Sequence, residues 1–193
     1  MEQREIGSRQ TRCIPGDFKT RQEDGNEYIE GYFAVFGSDY EIGEGMTESI
    51  DRHAFDNALD DDIRALTDHD TRLVLGRTTA GTLDLHVDEH GLYGRALVNP
   101  NDQDAVNTKA RVDRRDVTQA SFGFDILDEE AEYRDDGSTH WTIKAVKLYE
   151  VSVCTFPAYK ETNLQARAAD KAAFEKRRLD AWKEEQKERL KQC

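Results

Sequence analysis

Thr139-His140-Trp141-Thr142-Ile143-Lys144-Ala145-Val146-Lys147-Leu148-Tyr149-Glu150-Val151-Ser152-Val153-Cys154-Thr155-Phe156 is the stretch from which the fold is read. Aromatic and β-branched residues alternate here with polar ones, the two-residue period of a strand. The phase slips near Val146. Trp141, Ile143, Ala145, Tyr149, Val151 and Val153 share one parity, while Val146 and Leu148 fall on the other. A β-bulge or burial on both faces accounts for such a slip. Simple alternation sets Glu150 beside Leu148 and Ser152, opposite Tyr149 and Val151. A carboxylate among apolar neighbours is costly to bury unless paired, which separates Glu150 from the acidic residues of the loops.

Working outward, residues 117–124 read as a strand carrying Ser121 ahead of Phe122-Gly123-Phe124, and 125–132 as another before the turn Asp135-Asp136-Gly137. Residues 82–87 and 92–98 flank Asp88-Glu89-His90-Gly91 as a hairpin. A brief strand over 63–66 leads into His69, and 28–36 alternates as a further strand. Residues 37–45 read as a loop, and 18–20 as a short first strand. Two helices are predicted in this region. One starts at Pro100-Asn101-Asp102 and runs to about Arg115; a shorter one is capped by Ser49 or Asp51 and ends near Leu59, before Asp60-Asp61-Asp62. From 165 to 193 the chain is Ala, Lys, Glu and Arg without Gly or Pro, a charged helix with a weak apolar stripe. The chain thus divides into a polar segment (1–26), a packed domain (27–164) and a charged helical tail (165–193).

The chain has 193 residues, with 37% hydrophobic and 35% charged content and a formal net charge of −13. That field repels phosphate backbones, so no direct nucleic-acid partner is expected. No apolar run approaches the roughly 18 residues of a membrane span, and the charged start lacks a signal-peptide core. A soluble, intracellular protein is expected. Cys13, Cys154 and Cys193 form no CxxC pair, so neither a zinc knuckle nor a disulfide framework is read. Cys154 reads as a small buried hydrophobe. His86 and His90 straddle a hairpin turn rather than sharing a helical face, so no metal and no cofactor are expected.

By residue type, His69, Ser121 and Glu150 stand in three unlike settings that suit a serine hydrolase. A hydroxyl needs a neutral imidazole to take its proton, and the imidazole needs a third group to orient it. Spacing does not force this. A loop His between Asp68 and Asp70, a strand Ser ahead of a Phe-Gly-Phe core and a salt-bridged strand Glu are the ordinary readings of the same residues. Arg77 reads equally as a support for the oxyanion loop or as a surface partner of an Asp. An imidazole at its ordinary pKa loses basic function as pH falls through about 6–7.

The residues in order are Gly31-Tyr32-Phe33-Ala34-Val35-Phe36, His69-Asp70, Leu75-Gly76-Arg77, Asp88-Glu89-His90-Gly91-Leu92, Ala120-Ser121-Phe122-Gly123-Phe124, Leu148-Tyr149-Glu150-Val151-Ser152-Val153 and Phe156-Pro157-Ala158-Tyr159. This series resembles the prohead maturation proteases of tailed bacteriophages over roughly 27–164. The resemblance implies an α+β fold, a mainly antiparallel β-barrel with surrounding helices like the herpesvirus assemblin protease. It implies a serine endopeptidase that cleaves the scaffold, or the scaffolding segment of the capsid protein precursor, and itself. That work is done in the host cytoplasm, inside the assembling prohead. Carried over, His69 is the general base, Ser121 the nucleophile and Glu150 the third member, with His53 or His90 as alternatives. Backbone N–H groups after Ser121 or near Gly76-Arg77 are the oxyanion candidates. A homodimer is a further expectation, and so is a tail that co-assembles with shell precursors. The competing expectations are a non-catalytic capsid-assembly protein of the same fold and an unrelated partner-binding β-domain.

Overall fold

In the computed structural model, β11 (Thr139–Cys154) is the spine on which the other elements hang. The structure describes residues 9–156 and, beyond them, Lys171, Ala172, Glu175, Lys176, Leu179, Trp182 and Lys183. Those last positions are helical, and Leu179 and Trp182 are exposed; the rest of the expected tail, with Cys193, lies outside the described residues.

The strands are β1 (Gln10–Pro15), β2 (Lys19–Glu23), β3 (Asn26–Val35), β4 (Tyr40–Gly43), β5 (Met46–Ile50), β6 (Arg64–Thr67), β7 (Asp70–Arg77), β8 (Leu83–Val87), β9 (Gly91–Leu97), β10 (Gln119–Tyr133) and β11. The α-helix α1 (Gln103–Asp113) lies between β9 and β10. One sheet runs β1-β10-β11-β5-β4, with β6 on the later half of β11 and β7 outside β6; the other runs β2-β3-β9-β8. Most pairs are antiparallel, but β11 pairs in parallel with β5 over Thr139–Ile143 and with β6 over Glu150–Val153.

The expected closed barrel is not present among the described residues. β11 spends one edge on β10 and divides the other between β5 and β6, which splits the sheet, and the strand order never returns to its start. Two open sheets share one core instead. Ile29, Phe33, Leu92 and Ala96 of the small sheet join Phe122, Phe124, Ile143, Leu148 and Val151 of the large one.

The phase slip in β11 comes from three register shifts in the β10–β11 ladder, one of which leaves Lys144 as an extra residue between Ile143 and Ala145. Leu127 is the extra residue opposite the Ala145–Val146 step and stands 55% exposed. The Val146 N–H donates to Ala54 O at 3.1 Å. Tyr149 is the third extra residue, because Leu148 faces Phe124 and Glu150 faces Gly123. Simple alternation therefore misplaces Leu148. The bulge turns it to the core face with Val151, and leaves Glu150 and Ser152 together on the opposite face.

The predicted helix over 51–59 is a run of turns. Its backbone bonds span three residues, as in Ala54 N–H to Asp51 O and Ala58 N–H to Phe55 O, and its job is to bury Ala54, Phe55 and Ala58. The segment 37–45, read as a loop, holds β4, whose turn into β5 passes through Gly45 at φ 64°. Helix α1 is as predicted, with the Asp102 carboxylate accepting from Asp104 N–H at 3.0 Å.

β1 is held at the sheet edge by an ion pair. Arg12 donates through Nε and Nη2 to both oxygens of Glu48, and both side chains are buried. Removing one partner of a buried pair strands the other charge. Glu48→Ala is expected to cost about 3–5 kcal/mol in urea unfolding, whereas Arg77→Ala at the exposed Asp62 pair changes the midpoint little.

Candidate active site

Glu150 is 4% exposed, and both its oxygens are engaged. Oε1 faces His69 Nδ1 at 2.7 Å, and Oε2 accepts from Ser152 Oγ at 2.6 Å. The strand register makes room for it. Gly123 lies directly across the ladder, and a Cβ there would stand 2.3 Å from Oε1 and 3.2 Å from Cγ. Glycine at 123 is thus the floor beneath the carboxylate.

His69 arrives on the two-residue turn joining β6 and β7. Asp68 and His69 both have positive φ, 51° and 59°, with Thr67 paired to Asp70 across the turn. This is the conformation of a tight hairpin loop, which Asp and His tolerate better than most residues. A clamp keeps it there: the Asp68 carboxylate accepts from Thr155 N–H at 2.7 Å and Thr155 Oγ1 at 2.9 Å, and Asp68 N–H donates to Val153 O. A cavity of about 320 Å³ opens beside the turn, lined by Thr67, Asp68, Thr108, Arg111, Asp116, Val117 and Thr155.

Ser121 sits mid-strand on the same face as Glu150, between Cys13 of β1 and Ser152 of β11. It is wholly buried. Ser121 Oγ and His69 Nε2 are both sealed from solvent, and neither makes a hydrogen bond of ordinary geometry among the described residues. Catalytic hydrogen bonds are often long before substrate binds. Cys13 Sγ, Cys154 Sγ and a ring nitrogen of His69 all lie within 4.8 Å of one another. The imidazole, held by Glu150 on β11 and adjoining Cys13 on β1, therefore spans the row in which Ser121 stands.

Burial pulls the His69 pKa down, but contact with Cys13 and the hydrogen bond and charge of Glu150 outweigh it, lifting the pKa to about 9. This departs from the ordinary imidazole value expected from sequence.

His53 is exposed and pairs with Asp56 at 3.0 Å, and His90 packs edge-on against Tyr32. No contact brings either to His69 among the described residues. Arg77 takes its surface reading, donating to Asp62 at 2.6 Å, and its own N–H is spent on Thr82 Oγ1. Gly76 is needed for packing, since a Cβ there would lie 2.5 Å from Thr82 O. Cys13, Ser152 and Asp68 were not singled out for the site from sequence. Ser152 was within reach, two residues from Glu150 on one strand face.

Comparison with known proteins bears on this arrangement. The family model for the caudovirus prohead serine protease matches residues 16–177. The chain belongs to that family. The prohead protease of Enterobacteria phage HK97 is 31% identical over 148 residues, which cover 74% of this chain and 61% of that relative. No solved structure matches. In this member of the prohead protease family, β10 and β11 carry Ser121 and Glu150 into one face, and the β6–β7 turn delivers His69 to it.

The raised pKa has a consequence for stability. A group whose folded pKa exceeds its unfolded value stabilises fully below about pH 6.5 and loses that contribution as pH rises through about 9. In urea unfolding, the parent minus His69→Gln difference is expected to shrink between pH 6 and pH 9.5. Gly123→Ala, by displacing Glu150, flattens it. A difference constant across that range contradicts the His69–Glu150 pairing.

Proposed function

We propose that this chain is a serine endopeptidase of phage head maturation, with Ser121 as nucleophile, His69 as general base and Glu150 as the group that orients the imidazole. The carrying observation is His69 Nδ1 at 2.7 Å from the buried Glu150, which lies on the same sheet face as Ser121, with His69 Nε2 and Ser121 Oγ both buried and without a hydrogen-bond partner among the described residues. Ser121 Oγ attacks the scissile carbonyl carbon while its proton passes to Nε2. The C–N bond then breaks as Nε2 returns that proton to the leaving amine, and water releases the acyl group by the reverse sequence. Glu150 holds Nδ1–H toward itself, so that in the neutral imidazole Nε2 carries the lone pair for Ser121. Ser152 fixes the second carboxylate oxygen and acts as a positioning residue.

The substrate is the scaffold, or the scaffolding segment of the capsid protein precursor, and the chain itself. The setting is the interior of the assembling prohead in the host cytoplasm. The partners are that precursor and a second copy of this chain, with neither nucleic acid nor membrane. The net charge of −13 supports the exclusion of nucleic acid, and no described helix is long and apolar enough to cross a membrane. An assemblin-like arrangement and a co-assembling tail belong to the same proposal.

A second reading is a non-catalytic capsid-assembly protein. It is favoured by the zero exposure of Ser121 and the absent Ser121–His69 hydrogen bond. Intact mass separates the two. The full chain, incubated alone and with the capsid precursor of its own phage, is expected to release defined fragments. Ser121→Ala and His69→Ala are each expected to lose at least about 10³-fold in rate. Unchanged fragments in both variants, or none from the parent, support the assembly reading. The parent rate is expected to climb as pH rises through about 9, because only then does His69 shed its proton. A limb at pH 6–7 contradicts the Cys13 and Glu150 contacts.

A further inference from the structure

We propose that Cys13, Cys154 and His69 form a binding site for a thiophilic divalent cation, Zn²⁺ foremost, placed so that the metal caps the nitrogen assigned to general-base work. The ligand atoms come from three separate elements, β1, β11 and the β6–β7 turn, and all lie within 4.8 Å of one another. Tetrahedral zinc with two thiolates and an imidazole needs ligand–ligand spacings of about 3.3–3.8 Å, so closure takes shifts of no more than about 1.5 Å.

The imidazole is already prepared for metal. Nδ1 is taken by Glu150 at 2.7 Å, and Glu150 is in turn held by Ser152. That leaves Nε2 as the nitrogen that donates once its proton is displaced, with the carboxylate–histidine support that metal-bound imidazoles carry. Nε2 is sealed from solvent and makes no ordinary hydrogen bond. Two thiolates and one imidazole favour zinc over the hard cations magnesium and calcium. On binding below about pH 9, two S–H bonds and the Nε2–H bond of the imidazolium break and three protons pass to solvent, two S–Zn bonds form, and Nε2 donates the freed pair; nothing is oxidised or reduced. The fourth position falls to water.

A disulfide is the poorer use of the same thiols. β10 separates β1 from β11, and Cys13 faces Ser121 while Cys154 faces Gln119, so the two Cα atoms stand more than two strand spacings apart, beyond about 9–10 Å. A disulfide demands less than about 7 Å.

The site itself does not depend on the catalytic reading; its effect on cleavage rests on it. With metal on Nε2, Ser121 has no base, so a zinc-loaded chain is held inactive and chelation releases it.

The test uses the untagged full chain with Ser121→Ala to block self-cleavage, stripped of metal and titrated with Co²⁺ as an optical probe and then Zn²⁺. The expected result is one Co²⁺ per chain with a thiolate-to-metal absorption band, displaced stoichiometrically by Zn²⁺. Cys13→Ser and His69→Ala are each expected to weaken binding more than about 100-fold, and Cys193→Ser not at all. Cys13 lies half-buried on an edge strand, so its variant keeps the experiment decisive even where Cys154→Ser does not fold. No thiolate band, or full affinity in Cys13→Ser, overturns the site. In a second arm, Zn²⁺ is added to the chain with Ser121 intact, together with capsid precursor. Cleavage lost on zinc and regained on chelation supports the capping role. Stoichiometric binding with cleavage undiminished overturns the capping role and the base assignment of His69, while the site stands.

Discussion

A buried carboxylate organises this molecule. Glu150 gives one oxygen to His69 and the other to Ser152, and almost none of it meets solvent. Removing an ionised carboxylate from water without partners is prohibitive. Everything around Glu150 answers that cost. Gly123 leaves the space, the Tyr149 bulge turns Glu150 away from the core, and the β6–β7 turn brings the imidazole to it. The Asp68 clamp on Thr155 then keeps two consecutive left-handed residues in place at the turn.

The same constraint explains the sheet. β11 pairs with β5 along its first half and with β6 along its second. The first half anchors the core through Ile143 and a separate small cluster through Trp141 with Ile42 and Met46, and the second half builds the site. A closed barrel would need one uninterrupted neighbour on each edge. Division of the second edge is what lets a short hairpin, rather than a full-length strand, present His69 beside β11. β1 completes the face from the other side, bringing Cys13 across from Ser121 and fastening itself through Arg12 and Glu48.

Much of this was legible from residues alone, where local chemistry acts alone. The hairpin β8–β9, the Asp102-capped helix α1 and the alternating β3 follow from turn residues, a cap and a two-residue period. The cost of an unpaired Glu150 foretold that it would have a partner. Failures came where tertiary contacts decide. β1 hides in a polar segment because its fixing residue is an arginine, whose buried partner is 36 positions away. The turns over 52–60 carry helix-like apolar spacing but serve to fill the core beneath β11. Simple parity put Leu148 with Glu150, because a bulge changes phase without any change in composition. Cys13 and Gly123 acquire roles only through strand register, which no single segment encodes.

The most direct measurement is an NMR titration of the His69 imidazole in the full chain, beside Glu150→Gln. The account predicts titration near 9, with the neutral form protonated on Nδ1, and a clear fall toward the ordinary value in the variant. Titration near 6.5 in both proteins would mean that Glu150 does not hold the imidazole, and the site as described would not exist.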